Sequence, residues 1–211
     1  MKIGILGSGL MGAKLGTIWA RAGHDVTFSY ARDRKKLEQL ARDAGTHAHA
    51  GTPRDAAQAE AVLIAVNWPQ LDDVLEQAGD LAGKVVVTCS LPMVDGELVH
   101  AHTWSGAEEL AKRLASSHVV AAFGTVPSEC FFGVYQARAK PNRPSLVYYG
   151  DDARAKTAVV PLIRDVGFDP IDLGPLRIAR YGEPFTLLMG QLAYETSATP
   201  GVAYRFEHFD T

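Results

Sequence analysis

Gly7, Gly9 and Gly12 stand in the spacing G-x-G-x-x-G, and their neighbours Ser8, Leu10 and Met11 bring little side-chain chemistry. What such a stretch offers is backbone. Gly7 permits a tight turn off a strand, Gly9 has no Cβ to hold a pyrophosphate away, and Gly12 lets a helix pack closely on the strand before it. A helix starting there turns its unpaired N–H groups and positive dipole end toward phosphates, an anion site that needs no basic side chain. Glycine-rich turns also occur for purely structural reasons, so the flanks decide. Met1 to Leu6 reads as a short apolar strand, and the helix that follows puts Met11, Leu15, Ile18, Trp19 and Ala22 on one face, with Gly23 placed to stop it. A second strand, Asp25 to Ser29, comes at the distance of a β-α-β unit. The chemistry expected is dinucleotide binding.

The second strand's end indicates which dinucleotide. An NAD site places Asp or Glu there to accept from the ribose 2′-hydroxyl. This chain reads Ser29-Tyr30-Ala31-Arg32-Asp33-Arg34-Lys35-Lys36, with no carboxylate at the strand end and four cations at the next helix start. Cations there oppose the helix dipole and need another reason. A 2′-phosphate supplies one: Ser29 or Tyr30 could donate to it, Arg32 could clamp it, and Arg34 or Lys35 could add charge. NADP(H) is the expected cofactor, and Asp33 is read as the helix cap.

The elements that position these residues follow from the rest of the chain. A length of 211 residues suits a single nucleotide-binding domain over 1–211, with a helix-strand extension from about residue 175. A formal net charge of −3 draws neither nucleic acid nor a membrane surface. The apolar runs have strand length and the first strand leaves no room for a signal peptide, so a cytoplasmic protein with a small-molecule substrate is expected. Cys89 and Cys130 lack C-x-x-C spacing and are read as buried, reduced thiols.

From Lys35 helix and strand alternate. Lys35 to Ala44 is a helix stopped by Gly45, a short strand falls within 46–51, and Thr52-Pro53 opens a short helix to Ala59. His47 and His49 have no third metal ligand nearby and are read as surface or packing residues. Ala61 to Val66 is apolar at every position, a strand buried on both faces, and ends in Asn67-Trp68-Pro69-Gln70 before a helix from Leu71 to Ala78. That turn is expected beside the cofactor, with Trp68 either stacking there or covering the sheet edge. Lys84 to Cys89 is the next strand, followed by a long loop through Leu91, His100 and His102 to Ser105, which pairs with Glu108 in a capping box. Strands at His118 to Phe123, Ser145 to Tyr149 and Phe168 to Leu173 follow, with Phe131, Phe132 and Tyr135 in the loop after the first of them as pocket wall or local core. A helix from Ala153 to Val166 is expected to kink at Pro161. A last helix from about Leu176 to Tyr194 offers Leu187, Leu188, Met189 and Leu192 to the sheet or to a second subunit, and 202–207 alternates like an edge strand. The fold class is α/β, a doubly wound, mostly parallel Rossmann sheet.

Beyond these patterns, the glycine turn, Ala65-Val66-Asn67-Trp68, residues 81–87, 120–127 and 150–152, and the closing 167–176 with Ala179-Arg180 resemble the coenzyme F420-dependent NADP oxidoreductases. The resemblance implies hydride transfer between NADP(H) and a flavin-like acceptor, deazaflavin F420 or a flavin. By position it gives the pyrophosphate to Ser8, Gly9, Leu10 and Met11, the 2′-phosphate to Tyr30, Ala31, Arg32 and Lys35, and the ribose and nicotinamide side to Val66, Leu91 and Ala122. Where the family usually has serine before its arginine this chain has Ala31, which leaves Ser29 as the substitute donor. Where it tends to have Asn or His near the acceptor ring this chain has Gly124. Such a transfer rests on orientation rather than on a protein acid or base. Two other readings stay open: an NADPH-dependent reductase of a small carbonyl or imine, with Tyr135, His100 or His102 as proton donor, and a non-enzymatic NADP(H) sensor. The apolar last helix suggests a homodimer.

Overall fold

Apolar runs of four or five residues need cover on both faces, which places them inside a sheet. In the computed structural model, which describes residues 1–99 and 102–209, β1 (Lys2–Leu6), β4 (Ala61–Ile64), β5 (Val85–Thr88) and β8 (His118–Ala122) form the middle of an eight-stranded sheet. On one side lie β2 (Asp25–Ser29) and β3 (Ala48–Ala50), and on the other β9 (Ser145–Gly150) and β10 (Asp169–Asp172), in the order β10-β9-β8-β5-β4-β1-β2-β3. Every neighbouring pair is parallel except β8 with β9, where Ala121 opposes Tyr149. The expected α/β, mostly parallel sheet is therefore what the chain forms. Strand order reverses between β1 and β4, and a crevice opens beyond their carboxyl ends at such a point.

Period-two alternation feeds two cores. Ile3 and Ile5 of β1 point to one, with Leu15 and Trp19 of α1 (Leu10–Arg21), Leu37 of α2 (Arg34–Ala44) and Val159 of α7 (Ala153–Val166). Leu6 points to the other, with Ala56 of α3 (Pro53–Ala56), Leu71 of α4 (Leu71–Ala78), Leu110 of α5 (Gly106–Arg113) and Ala179 of α8 (Ala179–Gly190). Trp19, Phe123, Phe131 and Phe168 run through the first core edge to face, with centroids 5.8, 6.2 and 6.3 Å apart. The Trp19 indole N–H donates to the Leu162 carbonyl at 2.9 Å, so the most bulky buried side chain is also satisfied.

Four expectations are corrected. The loop after Leu91 contains a small hairpin, β6 (Met93–Val94) with β7 (Glu97–Leu98), turning on Asp95-Gly96 with φ of 51° and 87°. Asp-Gly is a favoured two-residue hairpin turn because both positions take positive φ. Phe131 opens a helix, α6 (Phe131–Ala137), where a loop was expected, and Phe131 is fully buried in the aromatic chain, which makes it core and not pocket wall. The last helix ends at Gly190 and passes into a π-helical turn, Gln191–Thr196; Met189 at the end of the helix is buried, while Leu187, Leu188 and, in the turn, Leu192 stay exposed. Residues 202–207 form no ladder strand. Instead Tyr204 fills the place beside the start of β9 that β8 leaves after Ala122. Its carbonyl accepts from Ser145 N (2.8 Å) and its hydroxyl from Val147 N (3.1 Å) while sharing a bond with Thr125 Oγ1 (2.8 Å).

Candidate functional site

The glycine turn has the geometry of a phosphate cradle. Gly7 takes φ +111°, and a Cβ on it would meet the Ala65 carbonyl at 2.5 Å. One on Gly12 would meet the Gly7 carbonyl at 2.0 Å, so helix and strand approach as closely as only glycine permits. At Gly9 a Cβ would meet nothing, because the space above it is open. Gly9 is the N-cap of α1 and no side chain caps the helix, which leaves its first N–H groups facing that space. Leu10 is exposed and Met11 half-buried on this first turn.

From the cradle a groove of about 700 Å³ runs along the strand ends toward β2 and β3, between Gly7, Ser8, Gly9, Val66 and Asn67 on one side and Tyr30, Ala31, Arg32, Arg34 and Lys36 on the other. Asp33 caps α2 as expected, its Oδ1 accepting from Lys35 N at 2.9 Å and Lys36 N at 3.5 Å. That cap sets the helical phase. Lys36 therefore borders the groove, and Lys35, expected there, points elsewhere on the exposed face. Arg34 is paired with Glu38 at 3.1 Å, while Arg32 and Lys36 have no carboxylate partner among the described residues. Ser29 is also placed otherwise than expected. Its side chain is fully buried, and Oγ donates to the Ile5 carbonyl at 2.7 Å, so it is no phosphate donor. Ser8 Oγ donates to the Ser29 carbonyl at 2.9 Å, leaving Ser8 its backbone N–H to offer. Tyr30, at φ +56°, donates to Asp73 Oδ2 at 2.5 Å, and burial with that nearby carboxylate raises its pKa to about 12. Its ring is thereby fixed as a groove wall. Gly51, Thr52 and Pro53 close the far end, where Thr52 and Asp55 form a capping box.

Past Val66 and Asn67 the groove continues into a second cleft of about 430 Å³ over the ends of β4 and β5, bounded by Met11, Trp68, Ser90, Leu91, Met93 and Asp95. Trp68 packs on the second core, and a Cβ on Gly106 would lie 3.1 Å from its ring. It walls this cleft and lies outside the phosphate groove. Leu91, Ala122 and Gly124 lie together around a smaller cavity beside it. His102 is exposed at φ +65°, and His100 lies outside the described residues.

Under that cavity sits a residue that sequence reasoning missed. Glu183 of α8 is only 4% exposed, and its two oxygens accept from Gly106 N and Ala107 N, each at 2.9 Å, at the start of α5. Burial outweighs these bonds and pushes its pKa up to about 7, with Glu108 adding in the same direction. The expected capping box at this helix is altered: Ser105 Oγ accepts from Glu108 N at 3.2 Å, but the Glu108 carboxylate turns to Ser105 Oγ and to Arg180, which binds it at 2.9 and 2.7 Å. No local pattern announces Glu183, because its partners lie more than seventy residues upstream.

Among the described residues no group of His, Cys, Asp and Glu could hold a metal ion, and no helix is long and apolar enough to cross a membrane. His49 pairs with Asp25 at 3.0 Å on the surface. Cys89 and Cys130 are free and buried, and burial pushes both thiols up to about 12.

Residues 2–92, which carry the cradle, the cation-bearing turn and the ends of β4 and β5, match the family described as NADP oxidoreductase coenzyme F420-dependent. The match covers under half of the chain. A candidate F420-dependent NADP-reductase from Arthrobacter sp. FB24 is 27% identical and superposes with a TM-score of 0.85 over 99% of this chain and 100% of its own. Rat metalloreductase STEAP3 is 30% identical over 189 residues, which are 88% of this chain and 36% of that protein. The chain thus spans about a third of that relative's length. A reductive aminase from Aspergillus terreus, solved with NADPH and ethyl levulinate, is 18% identical with a TM-score of 0.66 over 91% of this chain and 61% of its own, and shares the fold. The family and these relatives are oxidoreductases, and they differ in the acceptor.

Proposed function

We propose that the groove binds NADP(H) and that the chain passes a hydride between its nicotinamide and a flavin-like ring, a deazaflavin or a flavin. The observation that carries this reading is the continuity of three unlike parts: a cation-bearing end, a glycine cradle at a bare helix N-terminus, and a mostly apolar cleft over two strand ends. Arg32 and Lys36 are the residues for the 2′-phosphate, with Tyr30 and Ala31 as wall. The N–H groups of Ser8, Gly9, Leu10 and Met11 serve the pyrophosphate, and Val66, Asn67, Leu91 and Ala122 the nicotinamide half. The cofactor supplies the hydride. What the protein supplies is alignment and exclusion of water, worth up to several kcal/mol when two rings are held in contact.

The composition of the second cleft supports transfer without a protein acid. Among the described residues lining it there is no Tyr, His or Lys. Tyr135, a candidate donor for carbonyl or imine reduction, lies under Arg138 with 4.0 Å between guanidinium and ring and borders neither the groove nor this cleft. Two measurements test the proposal. Arg32→Ala is expected to weaken NADPH binding by about 1.5–3 kcal/mol through lost charge-assisted hydrogen bonds while NADH binding stays the same; equal weakening of both refutes the 2′-phosphate assignment. Anaerobic NADPH oxidation at 340 nm with F420, FMN, FAD and riboflavin is expected to show turnover, and silence with all four while NADPH still binds refutes the hydride reading.

A further inference from the structure

The turn that leaves β8 has little of its own to hold it. Ala122 closes the strand, and residues 123–126 make no backbone-to-backbone hydrogen bond among the described residues. Phe123 takes φ +68°, a left-handed conformation in which a bulky residue persists only where its surroundings over-determine it. Its ring is fully buried in the first core, edge to face with Trp19 and Phe131, and fixes the start of the turn. At the far end Ser128 Oγ accepts from Lys14 Nζ at 3.1 Å, which ties that end to the helix rising from the cradle. Between these points lie Gly124, which borders the small cavity with Leu91 and Ala122, and Thr125, which is 3% exposed. The hydrogen bond that holds this middle part is the one between Thr125 Oγ1 and the Tyr204 hydroxyl, 2.8 Å long. Tyr204 also reaches the opposite wall of the cavity. Its ring stands edge to face with Phe185 of α8, centroids 5.3 Å apart, and the flanking Glu183 and Thr186 line the cavity from that side. The bonds to Val147 N and Ser145 N anchor the same residue in β9. One side chain, carried on residues 197–209 that form no helix or strand, thus sets the Gly124 turn against β9 and α8 together.

We propose that Tyr204 is a positioning residue for hydride transfer: by holding Thr125 it fixes the backbone from Ala122 to Gly124, and with it the surface on which the nicotinamide half of the cofactor rests. This deepens the hydride-transfer reading above and depends on it. Tyr204 borders neither the groove nor the cleft, so it acts on the orientation of the ring and not on cofactor affinity. The pyrophosphate and 2′-phosphate are held at the cradle and at Arg32 and Lys36, away from this turn. Transfer between two rings is far more sensitive than binding to such a shift, since a displacement of about 1 Å caused from a distance costs on the order of a hundredfold in rate.

Three variants separate this role from plain stability. Thr125→Val removes the hydroxyl that meets Tyr204 at nearly constant volume and leaves Val147 N its partner, Tyr204→Phe removes both bonds, and Thr125→Ser keeps the hydroxyl. Single-turnover oxidation of bound NADPH is followed at 340 nm, well below the unfolding midpoint of each variant, with whichever of F420, FMN, FAD and riboflavin the unaltered protein reduces fastest. The expected result is a rate about tenfold or more lower in Thr125→Val and Tyr204→Phe and within about twofold of normal in Thr125→Ser, with the NADPH Kd within about twofold throughout. The fluorescence of bound NADPH, which reports how firmly the reduced nicotinamide is held, is expected to fall in the first two variants and to recover in Thr125→Ser. Unchanged transfer in Thr125→Val, or a loss of NADPH affinity in step with the rate, overturns the inference and leaves hydride transfer standing. If Thr125→Val does not fold, Tyr204→Phe decides by the same criterion. If the unaltered protein reduces none of the four acceptors while NADPH still binds, the hydride reading falls, and the fluorescence of bound NADPH then decides alone: equal values in all four proteins overturn the placing of the ring by Tyr204 as well.

Discussion

Glu183→Gln probes how α8, α5 and the cleft are held together, and its effect has a sign and a size. Glu183 accepts two backbone N–H groups at the start of α5 and is 4% exposed. Its pKa rises from an ordinary 4.5 to about 7, because burial penalises the carboxylate more than two hydrogen bonds favour it. The folded protein therefore holds this proton more tightly than the unfolded chain. Below about pH 4.5 the proton is on in both states and the contribution to stability is complete. Between about pH 4.5 and 7 the unfolded chain gives it up first, and stability falls as pH rises until the folded group also ionises. A shift from 4.5 to about 7 at 1.36 kcal/mol per unit gives a loss of about 3 kcal/mol across that window. The assay is urea unfolding of both proteins at half-unit steps from pH 4.5 to 8.5. Glutamine has no charge to lose, and the contributions of all other groups cancel in the difference. The stability of the unaltered protein minus that of Glu183→Gln is expected to drop by about 3 kcal/mol from low to high pH. A difference curve that stays flat, or climbs, refutes the claim that burial outweighs the helix N-terminus at this site.

Three further outcomes follow from residues already described. Ser29→Ala is expected to lower stability by about 1 kcal/mol through loss of the bond to Ile5 O, and to leave NADPH affinity unchanged in a fluorescence titration, since its hydroxyl faces the sheet. Tyr204→Phe leaves Val147 N and Thr125 Oγ1 without a partner inside the fold and is expected to cost about 1–3 kcal/mol by chemical unfolding. Cys89 and Cys130, with thiols raised to about 12 by burial, are expected to resist a thiol reagent at pH 7.5 until denaturant is added, and prompt labelling of the native protein refutes their placement in the core.

What could be read from the sequence was what is local. The unbroken apolar run at Ala61 announced a central strand, the glycine spacing announced the cradle, and Asp33 and Thr52 announced the two helix starts that frame the groove. Asp95-Gly96 also carried a legible hairpin signal inside what reads as loop. Lys36 replaced Lys35 because helical phase is fixed by the cap, and one residue of phase turns a side chain by a hundred degrees or so about the axis. Ser29 lost its expected role because strand alternation buries it, a consequence of which neighbour β1 presents rather than of its own residue type. Glu183 and Tyr204 were invisible for a different reason. Each acts on backbone groups far away in the chain; Glu183 carries no pattern among its own neighbours, and the alternation around Tyr204 names no partner.

The seat of Tyr204 bears on the order in which the protein can be completed during synthesis. Val147 waits 57 residues for the hydroxyl that accepts its N–H. At roughly 5–20 residues per second of translation, that is an interval of about 3–11 s in which the start of β9 lacks this partner, the first part of it also without β10. A nascent chain paused within α7 or α8 therefore displays an unpaired strand start, and that is the stage at which a chaperone, or another nascent chain, finds a β edge to take.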